Sequence, residues 1–441
     1  MKPSNIPYKN PNLITGNIDS NFYYVVNPFI KDGIKIINNN QYKIYNEIDG
    51  KKTVDQIAII TGFAKEDIFM VCNILEEKNY VNFTGVFVEP IYNKEIVSFD
   101  LWVHTTNDCN LRCPYCYIHT LGGQDYITGE NIRVLCDKIV ETVKRRQLKK
   151  VTLRLAGGEP LLKFYLWKSH LVELRQRLKD VSCKLRIAFL TNLTKLDDEI
   201  ARFIKENNIG IAVSLDGIGQ FHDDTRHFED GKGSFSLIKQ HINKLAENGI
   251  SPGILTVVSN SNLDGLELLT QFVIDNNLHL RFSIVQGERI DSEELTYVLQ
   301  QCYKKYEYAI EYGFAFSKLH KLHDLRLDSP FFHTCSGGFN SGALYTDGNI
   351  YFCQKHFGVE IPNGSIFEED DILSVLQRRT FYEEVSYECK VCNLRYVCAS
   401  GCPLERENGK YPHCKVYKYI IPIIYNLKAK ERLRELKKKQ K

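Results

Sequence analysis

The 441-residue chain has no apolar run near the ~18 residues that a membrane span requires. Its densest short apolar stretch, Tyr419 to Ile424, is interrupted by Pro422. It also lacks a charged-then-apolar leader. Met1 to Gly16 is polar, which leads to the expectation of a cytoplasmic protein without a membrane span. No single sign of charge dominates: 57 Lys and Arg face 54 Asp and Glu, a net of +3. The positive excess sits in one place, because Lys428 to Lys441 is Lys/Arg-rich with only Glu431 and Glu435 opposing. The rest of the chain is mildly acidic, which argues against a nucleic-acid partner. The tail reads as a frayed basic surface helix. With 43% hydrophobic and 25% charged residues, the chain is neither disordered nor collagen-like nor a coiled coil. Its length suggests about three domains.

Cysteine is abundant: 14 residues. In a large chain without a secretory signal, that number favours metal binding or catalysis over disulfides. Cys109, Cys113 and Cys116 form one group. Cys335, Cys353, Cys389, Cys392, Cys398, Cys402 and Cys414 fall in the last quarter. Cys72, Cys136, Cys183 and Cys302 stand alone, and three of these lie in apolar helical patterns, so they read as small buried hydrophobes.

From Val97 to Gln286, short branched or aromatic runs alternate with amphipathic helices. The strands are expected at Phe99–His104, Lys150–Ala156, Leu185–Thr191, Gly210–Leu215, Ile254–Val258 and Leu280–Val285. Repeated β-α-β units imply a parallel sheet with right-handed crossovers. Six units are too few for an eight-unit barrel of ~250 residues. The expected fold is therefore α/β, a partial (β/α)6 TIM-like barrel, with a doubly wound sheet as the alternative. The polar signatures follow the strands: the cysteine loop, Gly157-Gly158-Glu159-Pro160, Thr191-Asn192, Ser214-Leu-Asp216-Gly217 and Ser259-Asn260. Such enzymes build their sites at the C-terminal strand ends, so these segments predict one active site.

Residues 1–92 outline a winged helix. A short hairpin (Tyr23–Asn27 and Gly33–Asn38) precedes helices at Tyr42–Ile48, Val54–Thr61 and about Lys65–Lys78. Thr53-Val-Asp-Gln56 is a capping box, and Tyr80–Val88 returns as β. Leu295–Leu327 is expected to be mostly helical. Pro330 to Tyr417 is Cys- and Gly-rich with few periodic segments, the profile of a domain held by metal.

The spacing Cys109-x3-Cys113-x2-Cys116 supplies three thiolates, which on a four-iron cube leaves one iron open. A zinc loop completed by His104 or His119 is the rival reading of the spacing. With Tyr115 before the last cysteine and a barrel strand ahead, the loop resembles the signature of the radical S-adenosylmethionine (radical SAM) superfamily. The resemblance implies a [4Fe-4S] cluster whose free iron chelates S-adenosylmethionine (SAM), yielding a 5′-deoxyadenosyl radical. It implies that Gly157, Gly158 and Glu159 receive the SAM amino group and that Tyr115 lies by the adenine. Ser214 and Arg226 would contact ribose and carboxylate, with Asn192 and Val257 as further contacts.

The last seven cysteines resemble the SPASM domain, which holds two auxiliary [4Fe-4S] clusters; a zinc ribbon is the rival. The resemblance implies that Cys389, Cys392, Cys398 and Cys414 ligate the distal cluster and that Cys335, Cys353 and Cys402 hold the nearer one. That nearer cluster lacks a fourth cysteine, leaving His333 or an open iron. Members that mature sulfatases usually carry Asp where this chain has Gln354. The N-terminal module resembles the PqqD-like peptide-recognition element, most clearly in Ile48-Asp-Gly-Lys-Lys-Thr53-Val-Asp-Gln-Ile57-Ala. Its third helix is acidic, unlike a DNA reader.

Together the resemblances imply a leader-recognition domain (1–92), a radical SAM partial barrel (98–290), a helical linker (291–329), a SPASM domain (330–420) and a basic helix (421–441). The implied activity is crosslinking of a ribosomally made precursor peptide through a thioether or carbon–carbon bond. A flavodoxin- or ferredoxin-type protein would donate electrons. Sulfatase maturation is the enzymatic alternative, and an iron–sulfur redox-sensing DNA-binding regulator the non-enzymatic one.

Overall fold

The structure, a computed structural model, describes residues 5–93, 95–121, 126–318, 321–322, 325–380 and 384–439. Its strands are β1 (Tyr8–Lys9), β2 (Ile14–Asn17), β3 (Phe22–Val26), β4 (Ile34–Asn38), β5 (Val81–Asn82), β6 (Ser98–His104), β7 (Lys150–Ala156), β8 (Lys184–Thr191), β9 (Gly210–Ser214), β10 (Gly253–Val258), β11 (His279–Ile284), β12 (Lys321–Leu322), β13 (Ser341–Leu344), β14 (Asn349–Tyr351) and β15 (Gly364–Ser365).

The six strands expected between Val97 and Gln286 form β6 to β11, each displaced by no more than a residue. They lie side by side in chain order, all parallel. The sheet extends further than the repeats suggest. β12 adds a parallel strand beside β11, and β13 pairs in parallel with β6 and leads into antiparallel β14 and β15. β12 and β15 end the sheet without meeting, so it stays open.

Alternation along each strand sorts the side chains onto two faces. Leu101, Leu153, Ile187, Phe189, Val213 and Phe282 share the helix-covered face, and each is at most 1% exposed. The helices Gly129–Arg146, Phe164–Asp180 and Phe235–Glu247 cover it, burying Ile139, Trp167 and Ile242 in the same core.

The N-terminal module holds the three expected helices, at Asn39–Glu47, Val54–Thr61 and Lys65–Glu76. Thr53 and Gln56 form the reciprocal capping box. The hairpin carries one more strand than expected, giving the order β2-β3-β4. Segment 80–88 returns as β only at β5, which pairs with β1 and not with the hairpin. One face of the three-stranded sheet, with Val25 and Ile37, packs on the module's own helices. The other face, with Tyr24 and Ile34, joins the main core.

The stretch Leu295–Leu327 is mostly helical: one helix spans Ser292–Glu311, ending before Gly313 at φ +110°, and a 3-10 turn follows at Phe316–Lys318. Residues 319–320 and 323–324 of that stretch lie outside the described residues. The basic tail is not a frayed surface piece. One helix runs from Cys414 through Pro422 to Lys439, with Ile420, Ile424, Ala429 and Leu433 buried. Three of its basic residues have acidic partners elsewhere in the chain. Lys428 pairs with Asp328 at 2.6 Å, Lys430 with Glu307, and Lys437 with Asp19 at 3.5 Å. The Tyr24 hydroxyl donates to the Pro422 carbonyl at 3.1 Å, tying this helix to the N-terminal sheet.

Candidate active site at the C-terminal strand rim

The cysteine loop leaves β6 at the rim. Cys113 is buried, Cys109 and Cys116 half-buried, and the Cys116 N–H donates to the Cys113 carbonyl at 3.0 Å. Two side chains donate to the sulfurs: Asn192 Nδ2 to Cys109 Sγ at 3.7 Å and Arg226 Nη1 to Cys113 Sγ at 3.9 Å. Such donors favour thiolate and tune a bound iron centre. Burial pushes the free Cys113 thiol up to about 12, so loading a metal displaces a proton.

The loop after β7 lies directly against this one. Gly158 N–H donates to Thr106 O at 2.6 Å and Glu159 N–H to Asp108 O at 2.8 Å. Gly157 has φ +129°, and a Cβ there would stand 2.6 Å from the Thr106 carbonyl. A Cβ on Gly158 would strike the Asp108 carbonyl. The glycines are therefore required by backbone approaching backbone.

Glu159 is fully buried. Its carboxylate accepts from Thr191 Oγ1 at 2.6 Å, Asn192 N–H at 2.7 Å and Leu161 N–H at 2.9 Å. Burial raises its pKa to about 7 against those donors. Its bonds fasten the β8 end to the β7 loop.

Sequence reading quoted Asp216 only as part of a motif. In the structure it is the hub. It is 0% exposed, and one oxygen accepts from Arg226 Nε at 2.8 Å, from Thr225 Oγ1 at 3.2 Å and from the Tyr115 hydroxyl. The other oxygen accepts the Val257 N–H at 2.9 Å. Asn262 Nδ2 donates to the Asp216 carbonyl at 2.8 Å, and the Asp216 N–H donates to His222 Nδ1 at 3.2 Å. His222 therefore carries its proton on Nε2, 3.0 Å from Ser234 Oγ. Three of the residues expected at the SAM site, Tyr115, Arg226 and Val257, thus converge on one carboxylate. Ser214 stands two residues earlier at the end of β9, half-buried. The signal that could have found Asp216 is an acidic side chain just past the apolar strand Gly210–Ser214, with a basic residue, Arg226, ten positions on.

None of the 14 cysteines is in a disulfide. Cys389, Cys392, Cys398 and Cys414 line one pocket beside Arg395, Lys410 and Lys418. Four thiols and three cations around one space form a donor set suited to an anionic iron–sulfur cluster. Among the described residues, no three His, Cys, Asp or Glu side chains close on one point as a single ion would need. Cys353 is close enough to Cys335 that the two thiolates repel, and burial pushes Cys353 up to about 11. Thr334 Oγ1 donates to the Ala399 carbonyl at 3.2 Å, tying Cys335 to the stretch that carries Cys398 and Cys402. His333 lies edge-on to Tyr92, ring centroids 5.2 Å apart.

Residues 103–273 match the model of the Radical SAM superfamily. The chain is 24% identical over 335 residues to a cysteine-type anaerobic sulfatase-maturating enzyme of Clostridium novyi (strain NT). That match takes in 68% of this chain and 87% of the relative. Among solved structures, native anSMEcpe with bound AdoMet and Cp18Cys peptide superposes with a TM-score of 0.62 at 18% identity, over 75% of this chain and 98% of that one. Streptococcus suis SuiB bound to precursor peptide SuiA superposes with a TM-score of 0.53 at 15% identity, over 93% of this chain and 99% of that one. Both share the fold. With three rim cysteines following the first strand of an open parallel sheet, the chain carries a radical SAM domain over residues 103–273 and is a SAM- and iron–sulfur-dependent enzyme.

Proposed function

We propose that this enzyme matures a ribosomally made precursor peptide. Residues 1–92 would bind its leader, residues 98–290 would carry the radical chemistry, and residues 330–420 would hold two auxiliary clusters. The observation that carries this reading is coverage. The fold of a sulfatase-maturase chain leaves a quarter of this chain unmatched, whereas the fold of a chain solved with its precursor peptide spans 93% of it. The N-terminal three-stranded sheet supplies the means. β4 lies at its edge, and an extended peptide can add there as a further strand.

Cys109, Cys113 and Cys116 would hold the SAM-binding cluster; bound SAM supplies the hydrogen-abstracting radical. The chain's own residues do the positioning. Gly157 and Gly158 let backbone approach the methionine moiety. Arg226, oriented by Asp216, offers its fork to a carboxylate. Tyr115 and Val257 are fixed by the same Asp216. Cys389, Cys392, Cys398 and Cys414 would enclose the distal auxiliary cluster, and Cys335, Cys353 and Cys402 the nearer one, with His333 or a substrate thiolate as its fourth ligand. The product would be a thioether or carbon–carbon crosslink, with electrons from a flavodoxin- or ferredoxin-type donor.

Sulfatase maturation is the second reading, favoured by the match to 87% of a sulfatase-maturating relative. Gln354 and the extra N-terminal module weigh against it. One experiment separates the two. Reduced enzyme and SAM are offered short peptides encoded beside this gene and, separately, a sulfatase-derived peptide with a central Cys or Ser. Loss of two hydrogens as an internal crosslink, seen only in the first, supports the proposal; formylglycine in the second overturns it.

A further inference from the structure

The distal cysteine pocket is built on little regular structure. Cys389 sits in the four-residue helix Tyr387–Lys390, which buries none of its residues, and Cys398 ends the four-residue helix Arg395–Cys398. A single helical turn fixes several dihedrals for one hydrogen bond and does not stand alone. The next two residues, Ala399 and Ser400, have φ of +42° and +63° without being glycine. Such backbone persists only where its surroundings hold it. Arg406 holds the carbonyls of Ala399 and Gly401, at 3.0 and 3.2 Å. For the helix before them, ligation of Cys389, Cys392 and Cys398 supplies the order, because metal binding contributes folding free energy.

Arg395 stands between Cys392 and Cys398 and reaches out of this segment. Its Nη1 donates to the Cys392 carbonyl at 2.8 Å. Its Nη2 pairs at 2.7 Å with Glu89, in the stretch that leads from the N-terminal module to β6. The guanidinium lies 4.2 Å over the ring of Phe29, which is 2% exposed in the turn between β3 and β4. Tyr396 repeats both contacts. Its ring meets Phe29 edge-on at 4.9 Å, and its hydroxyl donates to Glu89 at 3.2 Å. The fourth cysteine, Cys414, opens the long helix whose Asn426 Nδ2 donates to the Asn17 carbonyl of β2 at 2.6 Å. Both chain segments that bring cysteines to this pocket therefore touch the N-terminal module, and one of them grips the hairpin turn beside β4.

We infer that filling of the distal cysteine pocket latches the β3–β4 turn of the N-terminal module, with Arg395 as the positioning residue, so that the β4 edge is held in place only in an enzyme loaded at this pocket. The inference rests on the assignment of Cys389, Cys392, Cys398 and Cys414 to a cluster and adds a conformational consequence to it.

The test follows amide hydrogen exchange over residues 27–33 in the anaerobically reconstituted full chain. Exchange there should rise at least about tenfold in a Cys389→Ala/Cys392→Ala variant and in Arg395→Ala. It should stay at the wild-type rate when Cys109, Cys113 and Cys116 are all replaced by Ala. Arg395→Ala should keep wild-type iron, and β6 and β7 should exchange at the wild-type rate in every variant. Glu89→Gln reads the same bridge from the other end. It removes the anion facing Arg395 and should raise the reduction potential of the distal cluster in an EPR-monitored titration, which a merely structural contact would not do. A Cys389→Ala/Cys392→Ala variant that keeps all its iron overturns the cluster assignment and the inference with it. Loss of about a third of the iron with unchanged exchange over 27–33 overturns the inference alone. So does iron loss in Arg395→Ala, or an unmoved potential in Glu89→Gln.

Discussion

Asp216 holds Arg226 through a single carboxylate oxygen, with Nε 2.8 Å from Oδ2 and both side chains buried. The Tyr115 hydroxyl shares that oxygen, and the guanidinium lies 5.5 Å over the Tyr115 ring. The cysteine loop, the segment after β9 and strand β10 are therefore aligned by one acidic residue. Asp216→Asn keeps the shape and removes the charge. Leaving a buried guanidinium without its counter-ion costs about 3–5 kcal/mol. The variant is expected to unfold at lower denaturant and to bind SAM at least about tenfold more weakly, ~1.4 kcal/mol. Equilibrium dialysis with labelled SAM checks the second point. Wild-type affinity in Asp216→Asn would remove Asp216 from the organising role.

The barrel was legible because its signals are local. Each parallel strand is a short apolar run, and each rim signature follows one directly. What sequence reading missed depends on contacts between distant segments. β13 joins β6 across more than two hundred residues, and nothing in Ser341–Leu344 announces that partner. The basic tail shows its charge but not its neighbours. Only the fold reveals that Asp328, Glu307 and Asp19 await it while Leu433 turns inward. Asp216 was visible as a letter in a motif, but its role lies in bonds to residues 101 positions before and 41 after it.

His222 gives a pH prediction. It is fully buried, with the Asp216 N–H and the Ser234 hydroxyl as hydrogen-bond partners, and burial pushes its pKa down to about 3 against the opposing pull of the Asp216 carboxylate. The unfolded chain takes up this proton near pH 6.5, well before the folded one does. From about pH 6.5 down toward pH 3 the group therefore destabilises the fold by about 1.4 kcal/mol per pH unit. Glu159, raised to about 7, acts in the opposite sense between its two pKa values, but it is common to wild type and variant and cancels in a difference. The stability gap between wild type and His222→Gln should thus narrow by about 1 kcal/mol from pH 7.5 to pH 5.5. Urea unfolding at both values checks this. A constant gap would mean that folding leaves the His222 pKa unshifted.

Cluster content tests the three cysteine groups together. Ten thiols in three sets correspond to about 12 iron per chain after anaerobic reconstitution, at four per cube. Replacing Cys109, Cys113 and Cys116 by Ala should remove about a third of the iron and abolish 5′-deoxyadenosine formation. Replacing Cys389, Cys392 and Cys398 should remove a different third. Near-stoichiometric zinc with little iron in the wild type would refute the assignment of all three sets.

The edge of β4 gives a prediction with a built-in control. In the β3–β4 ladder, Asn27 N–H donates to Gly33 O at one end and Asn39 N–H to Asn21 O at the other. Antiparallel ladders alternate, so Lys35 and Ile37 exchange bonds with Val25 and Tyr23, whereas Ile34 and Ile36 turn their N–H groups to the open edge. Ile36→Pro removes an outward donor and leaves the β3 bonds in place. Ile37→Pro removes an inward one and disturbs a side chain only 1% exposed. If a leader docks on β4, Ile36→Pro should weaken its binding at least about tenfold, ~1.4 kcal/mol, with iron content and unproductive SAM cleavage at wild-type level. Ile37→Pro should lower thermal stability as well. Calorimetric titration of the leader, alongside melting curves for both variants, distinguishes them. Unchanged leader affinity in a folded Ile36→Pro enzyme would show that the peptide does not use this edge, and the N-terminal module would then need another role.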